Sequence, residues 1–255
     1  AFAIPVIGAG FICMMLNKIK INQVGEFLLF FGILFLGLTF LKNTISDLDL
    51  QNSEAVRNII AACVSDGNAH IGHVLLFLLI GTILTTILQS SSATMALTIV
   101  LCSEGVIPLE LAVALVLGEN IGTTITANIA AAIGNSTAKR AARAHLLFNT
   151  IGVLWILVVF RLVMPFINFL TISIEGVSPY VSAAAVPVAL SLFHTLFNIM
   201  NTSILVWFVP QIEKLTSLMV QGNNEEDEVE YRLKYINTGF MNVGEVRLFC
   251  TYSDR

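Results

Sequence analysis

Long apolar segments dominate this sequence, and short polar runs interrupt two of them. The first run is Gln-Ser-Ser-Ser at 89–92, and the second is Gly-Glu-Asn-Ile-Gly-Thr-Thr at 118–124. Hydroxyls, amides and backbone groups without helical hydrogen bonds cost free energy in hydrocarbon unless they bind a solute or one another. We therefore expect a polar solute to bind within the membrane at these two runs.

The composition supports a membrane location. Of the 255 residues, 56% are hydrophobic and 12% are charged, and the mean hydropathy is +0.85. An ordinary soluble domain has about 25% charged residues, so a soluble α-helical protein with a very apolar core is the weaker interpretation. No basic patch interleaves with aromatic residues, and nucleic acid is not an expected partner. The four cysteines lack metal-ligand spacing, so we expect neither a disulfide framework nor a structural metal.

The apolar segments predict an all-α polytopic membrane protein. A spanning helix needs about 20 residues. Uninterrupted helices are expected at 1–16, 25–41, 143–164 and 183–209, and the loop at 42–70 is expected to hold one short amphipathic helix.

The segments beside the two polar runs are about half the length of a span. Two half-length helices joined by a polar tip are typical of a re-entrant hairpin or a broken helix. We expect the hairpin at 89–92 and the broken helix at 118–124. The predicted half-helices are 74–88 and 93–102 for the first, and 109–117 and 125–133 for the second.

Residues 1–210 are predicted to form a transmembrane domain, and 211–255 a polar tail with a short acidic run. If the tail is cytoplasmic and the segment around Gln89 is a hairpin that enters and leaves the membrane on one side, the positive-inside rule is modestly satisfied. Five basic residues then lie inside (Lys18, Lys20, Lys139, Arg140 and Arg143) and three lie outside (Lys42, Arg57 and Arg161).

A His-Asn pair occurs twice in the later apolar segments. His145 precedes Asn149 by four residues, and His194 precedes Asn198 by the same spacing, so each pair shares one helix face. Polar pairs on membrane helices face the bundle interior or a cavity. Direct ligand contact and hydrogen bonding across helices both remain open for the histidines.

The first polar run suits an anion. Where a helix restarts, its first N–H groups are unpaired and carry the positive end of the helix dipole. Gln89, Ser90, Ser91, Ser92 and Thr94 add side-chain donors at this restart. No Lys or Arg occurs between Arg57 and Lys139, so helix ends, hydroxyls and bound cations would have to compensate the charge.

The second run suits a hard monovalent cation. Glycines allow unwinding and close approach of the backbone, and discontinuous transporter helices bind Na⁺ through exposed carbonyls. Glu119 could pair with a cation, carry a proton or reach toward water. The alternative is tight helix packing through small residues, with Ser and Thr bonded only to backbone. The candidate residues are Gly118, Glu119, Asn120, Gly122, Thr123, Thr124 and Asn128.

The two runs, with His-Leu-Leu-Phe-Asn at 145–149 after them, resemble the sodium/phosphate cotransporter family, type II, and its bacterial relatives. The resemblance covers about residues 1–240, and Glu119 departs from it, because many relatives have a small residue there. It implies two inverted repeats, each with a Gln-Ser-Ser-Ser motif, which together form one central site. It also implies that the serines 90–92, with Gln89 beside them, contribute to phosphate or Na⁺ binding.

The chain carries one such motif and resembles the second repeat. We therefore expect a first repeat upstream, or a second copy, to complete the site. The tail is similar to the start of the PhoU-like helical domain that bacterial members often carry, cut short at 255.

The expected function is Na⁺-dependent symport of inorganic phosphate across a bacterial inner membrane by alternating access, with Na⁺ as coupling ion and no cofactor. The alternatives are transport of another small anion and a membrane phosphate sensor that does not transport. An enzyme is not expected, since the two runs contain no nucleophile–base pair, metal-ligand set or nucleotide-binding loop.

Overall fold

The computed structural model describes residues 2–16, 19–65 and 68–221. This described part is built mainly from α-helices, with 3₁₀ turns at Leu50–Asn52, Ala183–Ala185 and Val206–Phe208. Two-residue strands, β1 (Val64–Ser65) and β2 (Asn68–Ala69), form one antiparallel pair. The helices are α1 (Ala3–Met15), α2 (Ile19–Asp47), α3 (Glu54–Cys63), α4 (Ile71–Leu88), α5 (Ser91–Ser103), α6 (Leu109–Ala131), α7 (Ser136–Glu175), α8 (Val186–Leu205) and α9 (Val209–Met219).

Five helical segments in the described part are long and apolar enough to cross a membrane. Their outward faces carry large apolar side chains, such as Val158 (86% exposed) and Leu162 (74% exposed), which suit contact with lipid. The expectation of an all-α polytopic membrane protein is therefore confirmed. The segments are Lys20–Asn52, Ile71–Leu88, Leu109–Ala131, Ser136–Glu175 and Ala183–Met219.

Helix α6 lies at the centre of the fold. Every residue from 111 to 119 is buried, and α4, α5, α7 and α8 all pack against this helix. A helix that is apolar on all sides over such a stretch requires neighbours all around it. The polar residues that follow on the same helix are thereby held inside the bundle.

Helix α4 packs against α6 with the two backbones in contact. A Cβ atom added at Gly118 would clash with the carbonyl oxygen of Leu78, and one added at Gly81 would clash with that of Leu115. A Cβ at Gly122 would lie 2.7 Å from the carbonyl oxygen of Thr82. Small residues on both helices therefore set the distance between α4 and α6.

The broken helix predicted at 118–124 is wrong, because α6 is one continuous helix of 23 residues. Gly118 and Gly122 serve close packing on α4 rather than unwinding. The polar side chains bond to their own helix: Asn120 Nδ2 donates to the Val116 carbonyl (2.9 Å) and Thr123 Oγ1 donates to the Glu119 carbonyl (2.9 Å). These bonds satisfy the side-chain donors without opening the helix.

The interruption predicted at 89–92 is confirmed. Gln89 takes the left-handed conformation (φ 53°) and ends α4, and the Ser90 side chain caps α5 by accepting from the Ala93 N–H at 3.2 Å. Helix α4 has 18 residues and is long enough to span, whereas α5 has 13. The first arm is therefore longer than expected, and re-entry into the membrane stays a prediction.

The helices outside the centre differ in length from the predicted spans. Helix α7 has 40 residues and contains Pro165. It is longer than predicted because it begins directly after the Asn135 cap, includes the basic residues 139–143 and ends at the Gly176 cap. The predicted helix at 183–209 divides at Val206–Phe208, and α9 continues through Met219 along α7. The short helix expected within 42–70 is α3. Of the predicted tail at 211–255, the first residues belong to α9, and the acidic run and everything after residue 221 lie outside the described residues.

Helices α1 and α2 form an antiparallel hairpin. A Cβ atom at Gly10 would lie 2.5 Å from the Leu29 nitrogen, and one at Gly25 would lie 2.8 Å from the Gly10 carbonyl oxygen. The hairpin meets the rest of the fold mainly at α5, where Lys42 Nζ lies 3.6 Å from Glu104 Oε1. Most of the apolar surface of α2 is exposed.

The α4–α6 contact predicts that Gly118→Ala destabilises the protein, because the added methyl group meets backbone that cannot move aside. We expect the free energy of unfolding to fall by about 1–3 kcal/mol or more. Thermal unfolding of the purified protein in detergent measures this. Gly37→Ala is the matched control, since a Cβ at Gly37 meets nothing within 4 Å. Equal melting temperatures for the two variants would contradict the packing argument.

Candidate functional site

Two adjoining polar cavities lie beside α6. The central cavity has a volume of about 220 Å³, and the tip cavity, at the end of α4, has about 250 Å³. Ser91 and Thr123 line both cavities, so a ligand in one lies next to a ligand in the other. The central cavity is lined by Ser91, Glu119, Asn120, Thr123, His145, Phe148, Asn149, His194 and Asn198, and the tip cavity by Thr85, Gln89, Ser90, Ser91, Ser92, Thr123 and Thr126.

The tip cavity contains the start of α5. The Ala93 N–H is bonded to Ser90 Oγ, and the Thr94 N–H is bonded to the Ser90 carbonyl at 3.1 Å. The N–H groups of Ser91 and Ser92 occupy the first two helical positions, which have no partner within an α-helix. This end of the helix therefore offers two backbone donors and three serine hydroxyls to one small volume.

Thr85 gives the tip cavity an unsatisfied hydroxyl. Its side chain is only 1% exposed and lines the cavity, yet its Oγ1 has no hydrogen-bond partner among the described residues. A buried hydroxyl without a partner costs free energy, so most such groups in folded proteins are paired. An unpaired hydroxyl on a residue that lines the cavity beside the α5 N-terminus indicates a ligand or a water in this space.

The α6 side of the central cavity presents hydrogen-bond acceptors. Asn120 and Thr123 use side-chain donors within their own helix, which leaves their oxygen lone pairs for a ligand. In the tip cavity, Thr126 does the same, since its hydroxyl donates to the Thr123 carbonyl at 2.8 Å. Oxygen atoms of this kind suit a hard cation better than an anion.

Glu119 carries the carboxylate of the central cavity. It is 3% exposed, and its Oε1 accepts a hydrogen bond of 2.8 Å from the hydroxyl of Thr98, which is also buried. Thr98 belongs to α5, so this bond joins α5 to α6. A buried carboxylate requires such a donor and, when ionised, a cation as well.

The two predicted His-Asn pairs meet in the central cavity, as their helix faces indicated. Asn149 Nδ2 donates to the His145 carbonyl at 3.1 Å, and Asn198 Nδ2 donates to the His194 carbonyl at 2.8 Å. Each asparagine is thus held by its own helix. The equivalent pairs place α7 and α8 on two sides of one polar space.

Several predicted site residues lie outside both cavities. Thr94 donates to the Ser90 carbonyl at 3.0 Å, and Thr124 donates to the Ile121 carbonyl at 2.7 Å. Asn128 donates to the Ala142 carbonyl at 2.9 Å and so ties α6 to α7. Gly118 and Gly122 face α4. The described residues contain no group of three or more His, Cys, Asp or Glu side chains that could hold a metal ion.

The structure adds Thr85, Thr98 and Phe148 to the environment of the site. Thr85 had a detectable signal, because it precedes Gln89 by four residues and so shares the face of α4 that leads to the tip. Thr98 had none, since its role depends on the neighbouring α6.

The Thr98–Glu119 bond predicts that Thr98→Val lowers the free energy of unfolding by about 1–3 kcal/mol, because a buried carboxylate then lacks its donor. Chemical unfolding in detergent measures the change. Thr98→Ser keeps the hydroxyl and is expected to lose less. Thr39→Val is the control, as the Thr39 hydroxyl bonds only within its own exposed helix face. A loss equal to that control would show that the bond contributes nothing.

Comparisons with known proteins agree on one family. Residues 53–177 match the model of the Na⁺/Pi-cotransporter family. An uncharacterized protein, YqeW of Bacillus subtilis, is 36% identical over 143 residues, which cover 56% of this chain and 43% of that protein. The "putative inorganic phosphate export protein" YjbB of Escherichia coli is 24% identical over 229 residues, which cover 90% of this chain and 38% of that protein.

A mammalian relative matches a shorter region at higher sequence identity. Sodium-dependent phosphate transport protein 2C of Mus musculus is 46% identical over 96 residues, which cover 35% of this chain and 16% of that protein. The chain thus spans less than half the length of these relatives. No solved structure gives a significant match.

Proposed function

Because this chain belongs to the Na⁺/Pi-cotransporter family, we propose that it forms part of a secondary transporter that binds inorganic phosphate and Na⁺ at the two polar cavities. The protein moves both ions by alternating access and spans a bacterial inner membrane, with the tail on the cytoplasmic side. The excess of basic residues on that side supports this orientation.

The orphaned hydroxyl of Thr85 beside the start of α5 carries the proposal. Phosphate accepts hydrogen bonds on all its oxygens, and the tip cavity offers the N–H groups of Ser91 and Ser92 with hydroxyls around them. A helix N-terminus favours negative charge and donates several bonds to one anion. The Thr85 hydroxyl, which has no partner among the described residues, donates to the same anion.

The charge balance of the site supports Na⁺ as the coupling ion. No Lys or Arg lines either cavity, and the central cavity adds the carboxylate of Glu119. An anion beside that carboxylate is repelled strongly in a low-dielectric interior. Na⁺ ions held by Glu119 and by the acceptor oxygens of Asn120 and Thr123 offset this repulsion. Na⁺ therefore makes phosphate binding favourable, which is the coupling that symport requires.

The chain supplies one part of the transport site. The family resemblance implies a second Gln-Ser-Ser-Ser motif, and the relatives are more than twice as long as the matched region. Another part of the same protein, or a second copy, completes the cage around phosphate. Rocking of one repeat against the other then opens the site to each side in turn.

The candidate functions differ in the direction of transport, which is either phosphate uptake or phosphate export. The Escherichia coli relative, whose match covers 90% of this chain, is named as a putative phosphate exporter, whereas the mouse relative is named as a Na⁺-dependent phosphate transporter. We favour Na⁺-driven uptake on the charge balance of the cavities. Export is the second candidate, and another small anion or a sensor role is tested by the same assay.

The assay is phosphate flux in proteoliposomes made with the full-length protein that carries this chain. An inward Na⁺ gradient is expected to drive phosphate accumulation, and sulfate or carboxylates are expected not to compete. Ser91→Ala should abolish most of this flux, while Ser173→Ala, at an exposed hydroxyl bonded within α7, should retain it. Accumulation that ignores the Na⁺ gradient would rule out coupling, and binding without flux would favour the sensor.

Thr85→Val tests the anion contact with two readouts. The variant removes an unpaired buried hydroxyl at constant shape, so the ligand-free protein is expected to gain up to about 1–3 kcal/mol of stability. Phosphate affinity, measured by calorimetry in the presence of Na⁺, is expected to fall about ten-fold. Thr86→Val is the control, because the Thr86 hydroxyl already bonds to the Thr82 carbonyl. Unchanged phosphate affinity in Thr85→Val would remove Thr85 from the site.

Glu119→Gln tests the cation contact. The variant keeps the shape and a hydrogen-bonding group but loses the charge, so half-saturation of flux is expected to require about ten-fold more Na⁺ or greater. Glu26→Gln, at an exposed carboxylate on α2, should leave the Na⁺ dependence unchanged. If Glu119→Gln retains both the flux and the Na⁺ dependence of the parent, the carboxylate does not hold Na⁺.

A further inference from the structure

A third polar cavity lies where α6 ends, α7 begins and α9 ends. It has a volume of about 270 Å³ and is separate from the central and tip cavities. We call it the basic cavity, and its lining residues are Asn128, Ala131, Ala132, Lys139, Arg143, Met219 and Val220.

We propose that the basic cavity binds a phosphate group through Lys139 and Arg143. The ligand is inorganic phosphate or the phosphodiester of an anionic phospholipid, which share the chemistry that the cavity recognises. The site is distinct from the two transport cavities, and binding there does not require the proposed transport function.

The charge of the cavity has one sign. Lys139 and Arg143 are four residues apart on α7 and so lie on one helix face, where two like charges repel each other. None of the lining residues is acidic. In the part of the chain that the structure describes, Lys42 pairs with Glu104, and no carboxylate forms an ion pair with Lys139 or Arg143. An anion bound between the two side chains attracts both of them, and this attraction offsets the repulsion between Lys139 and Arg143.

The walls of the cavity are fixed by other groups. Arg140 Nε donates to the Val220 carbonyl at 3.1 Å and holds the end of α9 against α7. Asn128 Nδ2 donates to the Thr124 and Ala142 carbonyls at 2.8 and 2.9 Å and holds α6 against α7. Arg140 and the Asn128 amide therefore hold the helices that form the cavity, and Lys139 and Arg143 are left to bind a ligand.

The two cations suit a phosphate group in particular. Arginine binds phosphate oxygens in a bidentate manner, and lysine adds a compact point charge. Basic pockets between membrane helices are common sites for phospholipid headgroups. Met219, Ala131 and Ala132 provide an apolar wall that accommodates the glycerol ester of a lipid, while the volume also admits free phosphate.

The position of the basic cavity connects it to the transport site. Asn128 follows Glu119 by nine residues on the continuous helix α6, which places it roughly 14 Å farther along the helix axis. Lys139 and Arg143 also belong to the first basic cluster after the stretch without Lys or Arg that begins beyond Arg57. Free phosphate held here would raise the local concentration of substrate at that end of the protein.

The test uses the full-length protein in nanodiscs and two probes. One probe is inorganic phosphate, added in Na⁺-free buffer to the Ser91→Ala protein in phosphatidylcholine, so that the proposed transport site contributes nothing. The other is phosphatidylglycerol mixed into the phosphatidylcholine. Thermal stability reports both ligands, and native mass spectrometry counts retained phosphatidylglycerol. The variants are K139Q/R143Q, the charge-conserving K139R/R143K, and a charge-matched control, R57Q/K214Q, at two exposed residues outside the cavity.

We expect one probe to stabilise the parent protein and to lose about ten-fold in affinity in K139Q/R143Q. K139R/R143K should retain most of that affinity, and R57Q/K214Q all of it. Loss confined to phosphatidylglycerol identifies a lipid headgroup, and loss confined to free phosphate identifies a peripheral substrate site. A parent protein stabilised by neither probe, or a K139Q/R143Q variant with the parent's affinity, overturns the proposal. Either result leaves the Na⁺-driven flux assay unaffected, so the two proposals fail separately.

Discussion

The contact between the backbones of α4 and α6 determines where the polar groups of the tip cavity lie. Gly81 and Gly118 leave no room for a methyl group between the helices, and α4 therefore ends with Gln89 directly beside Thr123 and Thr126 of α6. The chain restarts as α5 at that point, with its free N–H groups turned toward the same space. A wider spacing would separate the hydroxyls of α4 from those of α6, and the tip cavity would lose one wall. The small residues thus act on ligand binding through geometry and not through their own chemistry.

The site divides its donors and acceptors between helices. The start of α5 and the Thr85 hydroxyl present donors. On α6, Asn120 uses one amide N–H and Thr123 its hydroxyl proton within the helix, and both present acceptor oxygens. Ser91 and Thr123 lie where the two groups meet. This arrangement suits an anion and a cation held side by side better than either ion alone, because each ion offsets the charge of the other in a region without basic residues.

Much of this could be predicted from the sequence, and the errors have a common cause. The all-α membrane class, the interruption at 89–92 and the meeting of His145 with His194 follow from local patterns of polarity and spacing. The run at 118–124 was ambiguous, because glycines permit both unwinding and close approach, and only the partner helix α4 decides between them. Thr98 was missed for the same reason, since its hydrogen-bond partner is the carboxylate of Glu119 on another helix. The predicted start of α7 at 143 came too late, because a helix that extends beyond the hydrocarbon no longer needs apolar residues. In each case the local sequence does not reveal which helix or which solvent lies against the segment.

The length of α7 has a mechanical consequence. Its 40 residues form a rod of about 60 Å, roughly twice the hydrocarbon thickness of a bilayer. Helix α7 carries His145 and Asn149 at the central cavity, and Lys139 and Arg143 lie six residues before them in that order, which is roughly 9 Å along the axis. Pro165 removes one backbone hydrogen bond farther along the helix. Both pairs of residues precede that proline and therefore lie on one continuous part of α7. A change of helix tilt at Pro165 would move the α7 walls of both cavities together, and the distance between the two walls would stay the same.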